Sequence, residues 1–126
     1  MRAGRALRRI IMNRIIAEVS DLAGKVYDRA AEDTAYPYVT LGPSYWVDDS
    51  TECIQARSQT VQVDVWHSGA AKGALEDLVD DVSAALDGWA VDELTMHPLR
   101  VTLARVMDDP SGALHGVVQV EAMVEG

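Results

Sequence analysis

The sequence predicts an α+β domain, a small and largely antiparallel sheet with two helices packed on one side, in the order α-β-β-β-α-β-β. Three observations carry that expectation. Residues 70–86 place apolar side chains at helical spacing. "QTVQVDVWHS" (59–68) and "PLRVTLARVM" (98–107) alternate as half-buried strands do. "DDPSG" (108–112) is strong turn chemistry, and it links the second stretch to another alternating run closely enough to make an antiparallel hairpin. At 126 residues the chain is the size of one domain, residues 1–126, able to bury roughly two-thirds of its unfolded surface. With no Phe, its core must be mainly Val, Leu, Ile and Ala.

In the first helix, residues 7–22, Leu7, Ile11, Met12, Ile15, Ile16, Val19 and Leu22 share one half of a helical wheel. Arg8 falls inside that arc, so the packed helix is expected to begin after it, with residues 1–6 a flexible basic arm. Gly24 supplies a stop. "KVYDRA" (25–30) reads as a short strand. "YPYVTLG" (36–42) sets Tyr36, Tyr38 and Thr40 against Val39 and Leu41, with Pro37 suited to a first residue or an edge. Gly42-Pro43 is expected to stop this strand, and the acidic, polar stretch 43–57 to form a long loop. Beyond it, Val61, Val63 and Val65 line one strand face and Gln62, Asp64 and Trp66 the other.

The second helix sets Ala71, Ala74, Leu75, Leu78, Val79, Val82, Ala85 and Leu86 against Glu76, Asp77, Asp80, Asp81 and Asp87, and Gly88 stands just past its end. A variable segment, 89–98, contains Trp89. Leu99, Val101 and Leu103 then share one strand face, as do Val118, Val120, Ala122 and Val124 in "LHGVVQVEAMVE" (114–125).

Charge narrows the function classes. Arg2, Arg5, Arg8, Arg9 and Arg14 are five of the eleven basic residues, which leaves the rest of the chain with six basic against twenty acidic residues. Such a body repels nucleic acid and argues against sequence-specific DNA binding through it. Arg2, Arg5, Arg8 and Arg9 read instead as a docking arm for an acidic neighbour, or as a solvated helix end. Asn13 and Arg14 interrupt "IIMNRII", which is therefore not a signal peptide, and no apolar run approaches the ~20 residues needed to cross a bilayer. Neither export by that route nor a membrane role is expected.

Catalysis finds little footing. His67, His97 and His115 lie far apart and match no metal-ligand spacing, and the single Cys53 builds neither a disulfide nor a zinc site. "HSGAAKG" (67–73) lacks the spacing of a phosphate loop and leads into an acidic helix. His67 and Ser68, being adjacent, do not make a nucleophile–base pair, and no G-x-S-x-G elbow is present. No catalytic, cofactor-binding or metal-binding residue is expected, and the protein is read as no enzyme.

"VYD" (26–28), "YPYVTLG" (36–42), "VDVW" (63–66), "LDG" (86–88), "DDPSG" (108–112) and "HGVVQV" (115–120) occur in this order and at these separations. The ordered set resembles the tail terminator or tail completion proteins of tailed phages, also found in prophages and gene transfer agents. It covers about residues 7–124; the basic start and segment 89–98 match poorly, and Ser111 stands where an acidic residue is more usual. The resemblance implies a ring, usually hexameric, at the head-proximal end of the tail tube. There it stops tube polymerisation and provides the head–tail joining surface. The implied partners are further copies of the chain, the major tail tube protein and a head-completion or stopper protein of the neck. DNA passes through the channel unbound. The place implied is the virion tail or neck, after assembly in the host cytoplasm.

In a ring subunit the 43–57 stretch becomes the candidate contact element. Tyr45, Trp46 and Val47 are expected as interface anchors, and Asp48, Asp49 and Glu52 as a carboxylate-rich channel lining that leaves DNA unbound. The acidic helix face from Glu76 to Asp87 is the second choice for that lining. The competing readings are another neck ring, a small-molecule-binding α+β enzyme, and a regulator binding nucleic acid through its arginine-rich start.

Overall fold

The computed structural model describes residues 2–125, and the end residues of the 1–126 reading, Met1 and Gly126, lie outside them. The elements are α1 (Gly4–Glu18), a single 3-10 turn (Ser20–Leu22), β1 (Val26–Tyr27), β2 (Tyr38–Asp48), β3 (Ala56–His67), α2 (Lys72–Leu86), β4 (Thr95–Met96), β5 (Arg100–Asp108) and β6 (Leu114–Glu125). They form a mixed α+β fold in the expected order, with the two-residue β4 as an addition inside the variable segment.

The sheet runs β1-β2-β3-β6, and β4 and β5 both pair along the remaining side of β6. Only β1 and β2 are parallel; β2–β3, β3–β6, β4–β6 and β5–β6 are antiparallel. Register explains the core. Val65, Val63 and Val61 of β3 stand opposite Gly116, Val118 and Val120 of β6, so one face of the two central strands is apolar. The helices close that face: Leu7, Ile11 and Ile15 of α1 and Leu75, Val79, Val82 and Leu86 of α2 join the same buried cluster. Each such Leu or Ile contributes about 1.5–3 kcal/mol by leaving water. The approach of α2 to β6 is close, since a Cβ at Gly116 would fall 2.5 Å from Val79 Cγ2. At their other ends the helices are tied together by Arg14, whose Nε donates to the Ala85 carbonyl at 2.8 Å while its guanidinium lies 3.8 Å from the Trp89 ring centroid.

Three expectations are corrected. Leu103 does not share a face with Leu99 and Val101: a bulge between Val101 and Leu103 sets Leu103 opposite Gln119, on the helix-free side of the sheet, where it is exposed. Residues 1–6 are not wholly an arm: α1 begins at Gly4, and Ala3 and Leu7 are buried in the core. Arg8 does not delay the helix because it points to solvent and meets Asp28 at 3.4 Å. Nor is 43–57 a loop. β2 continues through Gly42-Pro43 to Asp48 and β3 starts at Ala56, leaving only residues 49–55 as the connection. The reason is a β-bulge: Leu41 pairs with Val63 and Ser44 with Val61, so Gly42 and Pro43 together oppose one residue. At a bulge the N–H that proline lacks is not needed by the ladder. Glycine suits the position beside it, because a side chain at Gly42 would crowd the Asp64 carboxylate.

Candidate assembly surfaces

Past the bulge, β2 and β3 form a hairpin whose β2 side is exposed throughout, from Pro43 to the tip. β1 pairs with β2 only at Val39 and Thr40, so among the described residues Ser44–Asp48 has an open edge. Partners across a ladder share a face. Trp46, opposite Gln59, and Asp48, opposite Arg57, therefore lie on the helix side, while Tyr45 and Val47, opposite Thr60 and Ser58, lie on the other. The three expected anchors are thus split between two faces. All are open to solvent, Tyr45 at 59%, Trp46 at 55% and Val47 at 58%. Trp46 does not fold into the core; its partner is the Arg57 guanidinium, 5.0 Å from its ring centroid.

Beneath it, Arg57 and Gln59 are buried against the first turn of α1, and a Cβ on Gly4 would stand 3.4 Å from Gln59 Nε2 and 3.7 Å from Arg57 Nη2. Arg57 Nε and Gln59 Oε1 find no hydrogen-bond partner among the described residues.

Asp48, Asp49 and Glu52 are all exposed at the tip, beside Cys53 and Ile54. Ser50 shapes the turn: its Oγ donates to Asp48 Oδ1 at 2.7 Å and its N–H donates to the same oxygen at 3.2 Å. These bonds, the side-chain one foremost, hold the Asp48 carboxyl below the usual carboxylate range. Asp48 thereby keeps its charge to lower pH than an unperturbed aspartate does.

Arg5, Arg8 and Arg9 on the exposed side of α1, with Arg2 just before it, line an open hollow of about 720 Å³ that also includes Met12 and Ile16. Arg8 pairs with Asp28 and Arg9 with Glu93, both at the surface, whereas Arg2 and Arg5 have no ion-pair partner among the described residues. On α2, Glu76, Asp77, Asp80 and Asp81 are exposed, and none is in an ion pair among the described residues.

The helix-free side of the sheet carries a cluster that sequence spacing missed. His115 Nε2 and Asp64 Oδ1 are 2.6 Å apart, and Gln62 Nε2 donates to that same carboxylate oxygen at 2.8 Å. Trp66 stacks on His115, with centroids 4.0 Å apart and planes at 5°, and donates from Nε1 to Thr40 Oγ1 at 3.0 Å. Their separation of 51 residues hides the His–Asp pair; only the register, with His115 beside Trp66 and Val117 opposite Asp64, brings them together. Among the described residues no serine or cysteine hydrogen-bonds to this pair. Ser68 belongs instead to His67, whose Nδ1 accepts the Ser68 N–H. Nearby Tyr38 has its phenol pKa raised, chiefly by burial and further by Tyr36 and Asp109. In the β5–β6 turn, Ser111 is no misfit: its N–H donates to Asp109 Oδ2 at 3.0 Å, and its hydrogen bonds hold that carboxyl below the usual range. Among the described residues no group of three or more His, Cys, Asp or Glu is placed to hold a metal ion, and no helix is long and apolar enough to cross a membrane.

Comparison with known proteins places this geometry. Residues 12–125 match the family model described as tail completion protein gp17. Among solved structures, a chain of the virion of a native gene transfer agent particle superposes with a TM-score of 0.80. It is 21% identical, and the match covers 92% of each chain. At that identity the likeness shows the fold. No curated protein sequence matches.

Proposed function

The chain belongs to the tail completion protein gp17 family, and from that premise, as a structural and non-enzymatic part of the virion tail, we propose that its copies close into a hexameric ring at the head-proximal end of the tail tube. In that position the ring stops tube polymerisation and offers the surface on which the filled head is joined. Its neighbours are the major tail tube protein on one side and a head-completion or stopper protein on the other.

The observation that carries this reading is the β2–β3 hairpin. A ring subunit needs unlike surfaces toward its two neighbours and further surfaces above and below. The hairpin supplies an arm stiffened by its ladder, with Tyr45 and Val47 on one face and Trp46 on the other. Tyr and Trp bury large areas with few rotors and so suit contact centres. The tip, with Asp48, Asp49 and Glu52, turns to the channel. DNA binding by proteins is driven by cations that displace counterions from phosphates, so a carboxylate lining leaves the polymer free to slide.

Two measurements test the proposal. Purified protein added to isolated tail tubes is expected to cap them and not to bind portal-bearing heads; the opposite preference assigns it to a different neck ring. Replacing Asp48, Asp49 and Glu52 together with Lys is expected to slow DNA ejection from particles whose rings are intact. Unchanged ejection removes the tip from the channel.

A further inference from the structure

We propose that the arginine groove of α1 is the seat for the acidic face of α2 from the next copy, and that this contact repeats head-to-tail around the assembly. The inference rests on the ring reading and names the two surfaces that close it. Three observations support it.

The first is charge. The chain carries twenty acidic and eleven basic residues, yet Arg2, just before α1, and Arg5, in its first turn, have no ion-pair partner among the described residues. The complementary surface exists on the same molecule but out of reach. Glu76, Asp77 and Asp80 are exposed on α2 and equally without a cation. Opposed single-sign surfaces steer association and fix orientation.

The second is shape. Between the arginines the groove has an apolar floor, with Met12 partly buried and Ile16 42% exposed. The hollow, about 720 Å³, is open to solvent along the exposed side of α1. α2 offers a ridge, with Ala74 exposed between its buried turns and the carboxylates beside it. An apolar centre with charged flanks is the usual anatomy of a specific contact.

The third is placement. The first turn of α1 packs over Arg57 at the start of β3, whereas the first half of α2 packs over Val65 and Gly116 near its end. Eight residues of strand separate these points by roughly 27 Å at ~3.4 Å per residue. Basic and acidic surfaces therefore sit toward opposite ends of the subunit. A contact between unlike ends is heterologous and propagates, as a ring requires; it does not stop at a dimer. The hairpin tip, the other acidic candidate, lies at the same end as the first turn of α1, so it is the poorer match for a head-to-tail joint.

Charge exchange tests the pairing. One variant carries Arg2→Glu and Arg5→Glu, a second carries Asp77→Lys and Asp80→Lys, and a third carries all four changes. The sites are exposed, and circular dichroism checks that each variant folds. Assembly is read by mass measurement and electron microscopy of the full chain, alone and with assembled tail tubes. Each two-site variant is expected to lose rings, by at least tenfold in the concentration required. The four-site variant is expected to recover them, as is an equal mixture of the two-site variants. Rings that survive both two-site exchanges, or that stay lost in the four-site variant, overturn this pairing and leave the ring reading standing. A parent protein that makes no ring even on tubes overturns the ring reading itself.

Discussion

The inner and outer halves of the β2–β3 ladder use the same two strands and are stabilised in different ways. In the inner half, Val39 and Leu41 stand opposite Val65 and Val63, and the face they form is closed by the helices. In the outer half the same face carries Ser44, Trp46 and Asp48 opposite Val61, Gln59 and Arg57. There, burial takes in a guanidinium and an amide whose Nε and Oε1 go without partners among the described residues. Leaving such groups unmade costs about 1–3 kcal/mol each. A strand selected only for the stability of one copy would carry apolar residues there. The difference teaches that the inner half is organised around folding, and on the ring reading proposed above the outer half is the part left for contact with a neighbour.

The largest effect that sharpens this contrast is expected beside the inner half, where Gly116 of β6 pairs with Val65 of β3. Gly116→Ala drives a methyl into Val79 of α2, and overpacking of this kind costs about 1–3 kcal/mol. Chemical denaturation should show the loss, with the fold otherwise retained. A smaller change in stability is expected from Trp46→Ala, since its one partner is Arg57 at a wet site, where a cation–π contact contributes about 0.5–1 kcal/mol. Capping of tail tubes by that variant should fall far more than its melting temperature; a parallel fall in both would erase the distinction between the halves.

The smallest effect belongs to the tip. Because the Asp48 pKa is depressed, its hydrogen bonds to Ser50 stabilise the turn above the carboxyl's unfolded value of about 3.8 and cease to do so as pH falls through the lower folded value. In Ser50→Ala the Asp48 carboxyl should titrate higher than in the parent, read by NMR, with little change in global unfolding. An unshifted titration would show that Ser50 does not set the charge of the tip.

How much of this was legible in the residues depends on range. α2 and the β5–β6 turn could be read directly, because helical spacing and turn chemistry are local signals and Leu75, Leu78, Val79, Val82, Ala85 and Leu86 are the residues that α2 buries. Leu103 was misplaced, because the bulge that turns it away from Val101 is visible only once β5 is paired with β6. β2 was misread at Pro43, since proline within a run marks a strand end unless a bulge absorbs it, and a bulge is visible only once β3 is in place. The start of α1 was misread because Arg8 was counted against the apolar arc, although a long cationic side chain reaches solvent from near its edge. β4 is two residues long and leaves no periodic trace. As for the surfaces, the arginines and the acidic faces were visible as composition. The separation of Trp46 from Tyr45 and Val47, and the His115–Asp64 pair, were not, because register across strands decides both.

The bulge at Gly42-Pro43 does more than admit a proline. Counting by twos from Val39 and Leu41 would send Tyr45 and Val47 under the helices and the indole of Trp46 outward; the extra residue reverses that parity for everything distal to it. Gly42 sits there against the Asp64 carboxylate, itself held by His115 and Gln62. One inserted residue, next to that polar cluster, therefore decides which aromatic side chain the arm displays on each of its flanks.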